Sequence, residues 1–280
     1  MLSICSKVSK SLLIPTLFTA LTATSAMARD KSEEPALLVI GASYANASTP
    51  IFNDLQAPLG GTSVNLGRYL SLGNALVRER RLSGHVINEA QAGATSFDRL
   101  ACFPGPECVG PGWEGYDRQL DRALARVSGG GEVHADYVLI ARGNDCNHPD
   151  AFGIEMDQTQ ECTTEQMNYS VDITIAVAKK ALALGITPIF STAPEYANVD
   201  FEKFRQALGW TWIVGEAKYN EYSQLRADRI ASEVPEAILI NMWKGFEPMS
   251  DGLHPNRKTT KRAAKRVAKA IRKHQRQNAE

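Results

Sequence analysis

The chain has 280 residues, 31 basic and 31 acidic side chains, zero formal net charge and 44% hydrophobic residues. That is enough apolar material for one large core and fits a single domain better than two. Beyond the first segment no stretch is apolar for long enough to cross a bilayer, which argues against an integral membrane protein.

The first element reads as a leader. Lys7 and Lys10 precede an apolar run from Leu12 to Ala28 that closes on Ala26-Met27-Ala28, a small-x-small cleavage pattern. Pro15 and several Ser and Thr make the run too short and polar for a stable span. The expectation is a signal peptide over 1–28, a mature domain over 29–280, and a secreted or periplasmic product. Cys5 lies before the run, so it is not a lipoprotein-type cysteine.

Downstream, short aliphatic runs alternate with segments of helical period, the pattern of parallel strands joined by helical crossovers. Strands are expected at Leu37 to Ile40, Val86 to Asn88, Tyr137 to Ala141, Pro188 to Ser191 and Ile238 to Ile240. Helices are expected at Leu66 to Arg81, Tyr116 to Val127, Glu165 to Leu184 and Gly215 to Glu233, with Gly185 stopping the third. Ala45 to Asn65 and Ala193 to Val214 resist the scheme; the second holds Tyr196, Phe201, Phe204, Trp210 and Trp212. The chain closes on a basic helix, with ten Lys and Arg and no acid from Arg257 to Arg276. Ala263, Val267 and Ile271, flanked by Ala264 and Ala268, form an apolar stripe along it. The stripe predicts a helix docked on the core; the alternative is a helix making weak contact with a membrane surface.

Removing the leader leaves Cys102, Cys108, Cys146 and Cys162, and an exported chain uses such cysteines as disulfides. Three pairings are possible. Cys102 with Cys108 and Cys146 with Cys162 is preferred, since each closes a short loop between elements. Zinc is the alternative, but the close CxxC spacing of structural sites is absent, so no metal is expected.

Polar residues just after each strand are the chemical candidates, because open α/β sheets bind ligands at the carboxyl ends of their strands. Ser43 follows the first strand through Gly41 and Ala42, and alone it would read as a loop or cap residue. Gly93, in Ala92-Gly93-Ala94-Thr95-Ser96, could present an unobstructed backbone N–H, or be a turn glycine. Asn144, in Arg142-Gly143-Asn144-Asp145, could donate a side-chain amide to an oxyanion, or close an Asx turn. In Asp251-Gly252-Leu253-His254-Pro255-Asn256, Asp251 can reach the ring of His254 when Gly252 turns the chain, fixing the tautomer and freeing the other ring nitrogen for a nucleophile.

Ser43, Gly93, Asn144 and Asp251-x-x-His254 resemble, in order, the blocks of the SGNH (GDSL-like) hydrolase family, nearest to its periplasmic thioesterase, lysophospholipase and arylesterase branch. The resemblance implies a flavodoxin-like three-layer α/β sandwich with a five-stranded parallel sheet. It implies Ser43 as nucleophile, His254 as base and acid, Asp251 as orienting group, and an oxyanion hole from the N–H groups of Ser43 and Gly93 with the Asn144 side chain. No cofactor is implied, and nucleic acid is not an expected partner. Two positions depart from the family: Ala42 replaces its Asp before the nucleophile, and Arg142 replaces its Gly two positions before the Asn. A guanidinium at 142 would either fold away or enter the site and favour an anionic substrate group.

Three functions remain open at this stage: hydrolysis of a small or lipid-like acyl ester through an acyl-serine, removal of O-acetyl groups from polysaccharide, and ligand binding on a degenerate hydrolase scaffold.

Overall fold

The computed structural model describes residues 36–46, 55–56, 63–64, 70–82, 84–99, 113–128, 135–147, 161–208 and 212–278. The leader, Cys102, Cys108 and Trp210 lie outside these residues.

Five parallel strands form the centre. They are β1 (Ala36–Ile40), β4 (Val86–Asn88), β5 (Ala135–Ile140), β6 (Thr187–Ser191) and β7 (Ile238–Ile240), in the order β4-β1-β5-β6-β7. Strand β1 lies inside the sheet between β4 and β5, and all five of its residues are buried. Its side chains alternate between two cores, which explains an unbroken apolar run where a half-exposed strand would alternate. Leu37 and Val39 join Leu139 and Ile189 under α1 (Leu72–Val77) and α6 (Arg257–Gln277). Leu38 and Ile40 join Ile140 and Phe190 under α2 (Tyr116–Ser128), α3 (Thr164–Ala183) and α5 (Glu216–Glu233). The result is the expected three-layer α/β sandwich with helices on both faces. The order of connection reverses at β1, so the crevice for ligands falls where β1 and β5 end.

The boundaries differ from the sequence reading at several places. Helix α1 starts at Leu72, inside the expected span, because Ser71 is extended and its hydroxyl caps Asn74 N–H at 3.2 Å; Leu66 lies outside the described residues. It stops at Val77, where Glu79 N–H turns back to the Leu76 carbonyl. Within Ala45 to Asn65 there is a pair of two-residue antiparallel strands, β2 (Leu55–Gln56) and β3 (Ser63–Val64). The aromatic segment after β6 holds a 3-10 turn at Tyr196–Asn198 and a helix, α4 (Phe201–Leu208). Phe201 stacks on Tyr196 with ring centroids 5.1 Å apart, so these rings belong to the core.

The terminal helix docks as its stripe predicts: Ala263, Ala264, Val267, Ala268 and Ile271 are buried. Among the described residues no helix is long and apolar enough to cross a membrane. Cys146 is bonded to Cys162, closing a 16-residue separation between the end of β5 and the start of α3. A loop of that size contributes about 3 kcal/mol in the chain-entropy account.

Candidate active site

Ser43 sits in the turn that leaves β1. The turn is tight because Gly41 adopts φ +137° and passes so close to β5 that a Cβ would stand 2.6 Å from the Ala141 carbonyl oxygen. The Ala42 carbonyl accepts the N–H groups of Ala45 and Asn46, both at 3.0 Å. Ala42 brings no polar contact, yet the turn is held from the other side: Gln119 of α2 accepts the Gly41 N–H at 2.7 Å. Gln119 is fully buried, and its own amide is fixed on the Glu114 carbonyl at 2.8 Å.

Asn144 leaves β5 beside Ser43. Its backbone and side-chain amides both donate to the Ala94 carbonyl, at 3.0 and 3.2 Å, which joins it to the Gly93 loop. Gly93 has φ +85°, and a Cβ there would meet the Trp113 indole nitrogen at 2.8 Å. That indole donates to the Ala92 carbonyl at 2.6 Å, and Arg99 lies over its ring at 4.0 Å while donating to the Gly93 carbonyl. The Gly93 peptide is thus braced on both sides. Behind it, the buried Asp145 carboxylate accepts the Ser96 N–H and hydroxyl and the Ser170 hydroxyl, locking the loops after β4 and β5 to α3.

Asp251 and His254 lie in the loop between β7 and α6. The Asp251 Oδ2 is 2.6 Å from His254 Nδ1, and its Oδ1 accepts the N–H groups of Leu253 and His254 at 3.0 Å. Both side chains are buried. Gly252 makes this possible, with φ +84° and a Cβ position only 2.5 Å from the Asp200 carbonyl oxygen. The His254 ring packs edge-on against Phe204 at 5.7 Å and lies 5.9 Å from Tyr44.

Ser43, Arg142, Asn144 and Leu253 line one small cleft of about 30 Å³, closed by Tyr44, Phe201, Tyr219 and Trp243. Gly93, Asp251 and His254 are not among its described lining residues: Ala94, next to Gly93, is bonded to Asn144, and Leu253, next to His254, lines the cleft. Arg142 lines it too, but its guanidinium folds over Tyr219 at 4.4 Å and Tyr222 at 5.1 Å and donates to Ser223 Oγ at 2.8 Å. Burial, with Asp145 adding to it, pushes the Tyr116 and Tyr222 phenols well above their ordinary range. Burial also lowers Arg226, and the Arg142 charge contributes to that lowering.

Three residues with no assigned role in the sequence reading organise this site: Tyr44, Gln119 and Asp145. Gln119 carried a signal, since it interrupts the buried stripe of Tyr116, Leu120, Ala123 and Val127 with a polar side chain. Tyr44 carried none, because its partner is 209 residues away.

No protein-family model matches the sequence, and no curated protein matches it. Solved structures do. The carbohydrate acetylesterase Est24 from Sinorhizobium meliloti is similar with a TM-score of 0.55 and 16% identity, over 85% of this chain and 98% of that one. A carbohydrate esterase family 2 enzyme with a carbohydrate-binding domain, from Corynascus thermopiles, is similar with a TM-score of 0.50 and 14% identity, over 85% of this chain and 65% of that one. A GDSL-like lipase from Bacteroides thetaiotaomicron is 14% identical, over 86% of this chain and 89% of that one, with a TM-score of 0.46. The fold of the chain is that of the SGNH hydrolases.

Proposed function

We propose that the chain is a serine-dependent carboxylic ester hydrolase working through an acyl-serine intermediate, with Ser43 as nucleophile, His254 as base and acid, and Asp251 orienting His254. The observation that carries this reading is the buried Asp251–His254 pair, 2.6 Å apart on the Nδ1 side. A carboxylate holding Nδ1–H leaves Nε2 as the basic nitrogen, the tautomer a serine nucleophile requires. In the first half-reaction Ser43 Oγ attacks the ester carbonyl carbon and its proton passes to His254. The oxyanion forms before the N–H groups of Ser43 and Gly93 and the Asn144 amide, then collapses as His254 protonates the leaving alcohol. Water repeats the sequence on the acyl-serine and releases the acid.

The size of the cleft supports a short acyl group. A cleft of about 30 Å³ beside Ser43 suits a small acyl group better than a lipid-like tail. This favours an O-acetyl ester, including one carried on a carbohydrate. Arg142 on the cleft wall adds a positive field that an oxyanion or an anionic substrate group would feel.

A fluorophosphonate probe should label the wild type and spare Ser43→Ala. On p-nitrophenyl esters turnover should be greatest for acetate and fall with chain length, and Ser43→Ala should abolish it. A folded protein that neither reacts with the probe nor turns over any ester would favour a binding protein on a hydrolase scaffold and overturn the proposal.

A further inference from the structure

Helix α6 breaks two local rules. Its first turn holds Arg257 and Lys258 and no acid, against the helix dipole. Lys261, Lys265, Lys269 and Lys273 then follow at four-residue intervals, all exposed, so each repels the next. Lys258 pairs with Glu247 at 3.2 Å, but docking does not need the lysine row, because the buried stripe on the opposite face already holds the helix. Local rules broken without a gain to the fold point to a ligand.

Facing α6 is a second cationic element, Arg78, Arg80 and Arg81 at the end of α1. Arg272 Nε donates to the Arg81 carbonyl at 2.7 Å and joins the two. Between them lie two hollows of about 380 and 390 Å³, both lined by Arg81 and Lys265. Arg257 and Lys261 complete one, Lys269 and Arg276 the other. Glu79 is the one acid among the described lining residues, and it is bonded to Arg81 at 2.9 Å. The positive row runs the length of α6, about 30 Å at 1.5 Å per residue.

We propose that this groove binds a linear anionic polysaccharide. The apolar stripe of α6 is buried, and among the described residues Val77 is the one exposed large apolar side chain on α1 or α6, so these two helices offer little to a bilayer interior. Among the described residues no aromatic side chain lines the hollows to stack on bases. A glycan bearing an acid on successive sugars can lie along the lysine row, about 6 Å between side chains, and seat its hydroxyls in the hollows. The proposal does not depend on ester hydrolysis, since binding is read without turnover.

The test is equilibrium binding of the full chain to polygalacturonate over a range of salt. Affinity should fall linearly on a log–log plot against salt. The exposed K261Q/K265Q/K269Q/K273Q variant, and R78Q/R80Q on the facing wall, should each bind roughly tenfold or more weakly at low salt with unchanged circular dichroism. Three results would overturn the proposal: no binding at low salt, binding unaltered in both variants, or tighter binding to phosphatidylserine vesicles or duplex DNA than to polygalacturonate.

Discussion

The Tyr44 hydroxyl donates to the Leu253 carbonyl at 2.6 Å, tying the residue after Ser43 to the residue before His254. The same ring stacks on Phe246 and meets Trp243 edge-on, so it is fixed along its length. One side chain therefore sets the spacing of two loops that lie at opposite ends of the chain. Tyr44→Phe keeps the ring contacts and removes the tie. It should cost about 1 kcal/mol of stability and lower kcat on a short ester by roughly tenfold, while fluorophosphonate still labels Ser43. Wild-type kcat in this variant would show that the tie does not position the pair.

Gln119 supplies the polar contact that Ala42, the residue before the proposed nucleophile Ser43, does not. Gln119→Leu fits the buried stripe by size but leaves the Gly41 N–H with no acceptor, a loss of about 1–3 kcal/mol. Urea denaturation should report it as a lower midpoint at constant slope. A midpoint equal to that of the wild type would mean the turn does not need Gln119.

The strands and crossovers were legible because central parallel strands are buried on both faces and so read as continuous aliphatic runs. The Asp251-x-x-His254 contact was legible because Gly252 marked the turn that makes it. Helix α4 was not, although Asp200 accepts the Lys203 N–H at 3.1 Å as a cap would. Over 201–206, Phe201 and Phe204 are the buried residues, too few to establish a period. The true start of α1 was hidden as well, since Ser71 looks like any serine until its extended backbone is seen. Tyr44 and Asp145 were invisible as site residues because each acts through partners that only the folded sheet brings near, whereas Gln119 showed itself only as a polar break in an apolar stripe.

The buried tyrosines set the alkaline limit of stability. Tyr116 and Tyr222 have folded-state pKa values raised above 10.0, by burial first and by Asp145 next. Below pH 10 both folded and unfolded chains keep these protons, and the stability is fully present. As pH rises past 10 the unfolded chain releases them while the folded one holds them, so stability falls by about 1.4 kcal/mol per pH unit for each tyrosine. Tyr222→Phe should reduce that slope by one such increment while leaving the carboxylate-range acid limb unchanged. Denaturation midpoints measured between pH 9 and 11 would check it, and an unaltered slope would contradict the assignment.

Arg142 gives the last test, since it stands beside the cleft and its charge acts against a second, buried cation, Arg226. The Nε and Nη2 groups of Arg142 are buried and make no hydrogen bond, so the side chain is costly where it stands. Arg142→Met keeps an apolar stem against Tyr219 and Tyr222 and removes both the unmatched donors and the repulsion on Arg226. Stability should therefore hold or rise, by up to about 1 kcal/mol. A positive field beside Asn144 favours an oxyanion more than a neutral ester, so kcat on p-nitrophenyl acetate should fall by roughly tenfold with KM unchanged. An ester carrying a carboxylate on its acyl group separates the two roles of the charge. If Arg142 acts on the oxyanion, both substrates lose kcat equally. If it reads an anionic group, only the charged ester suffers and the loss appears in KM. Wild-type kinetics on both esters, in a variant no less stable than the parent, would remove Arg142 from the chemistry altogether.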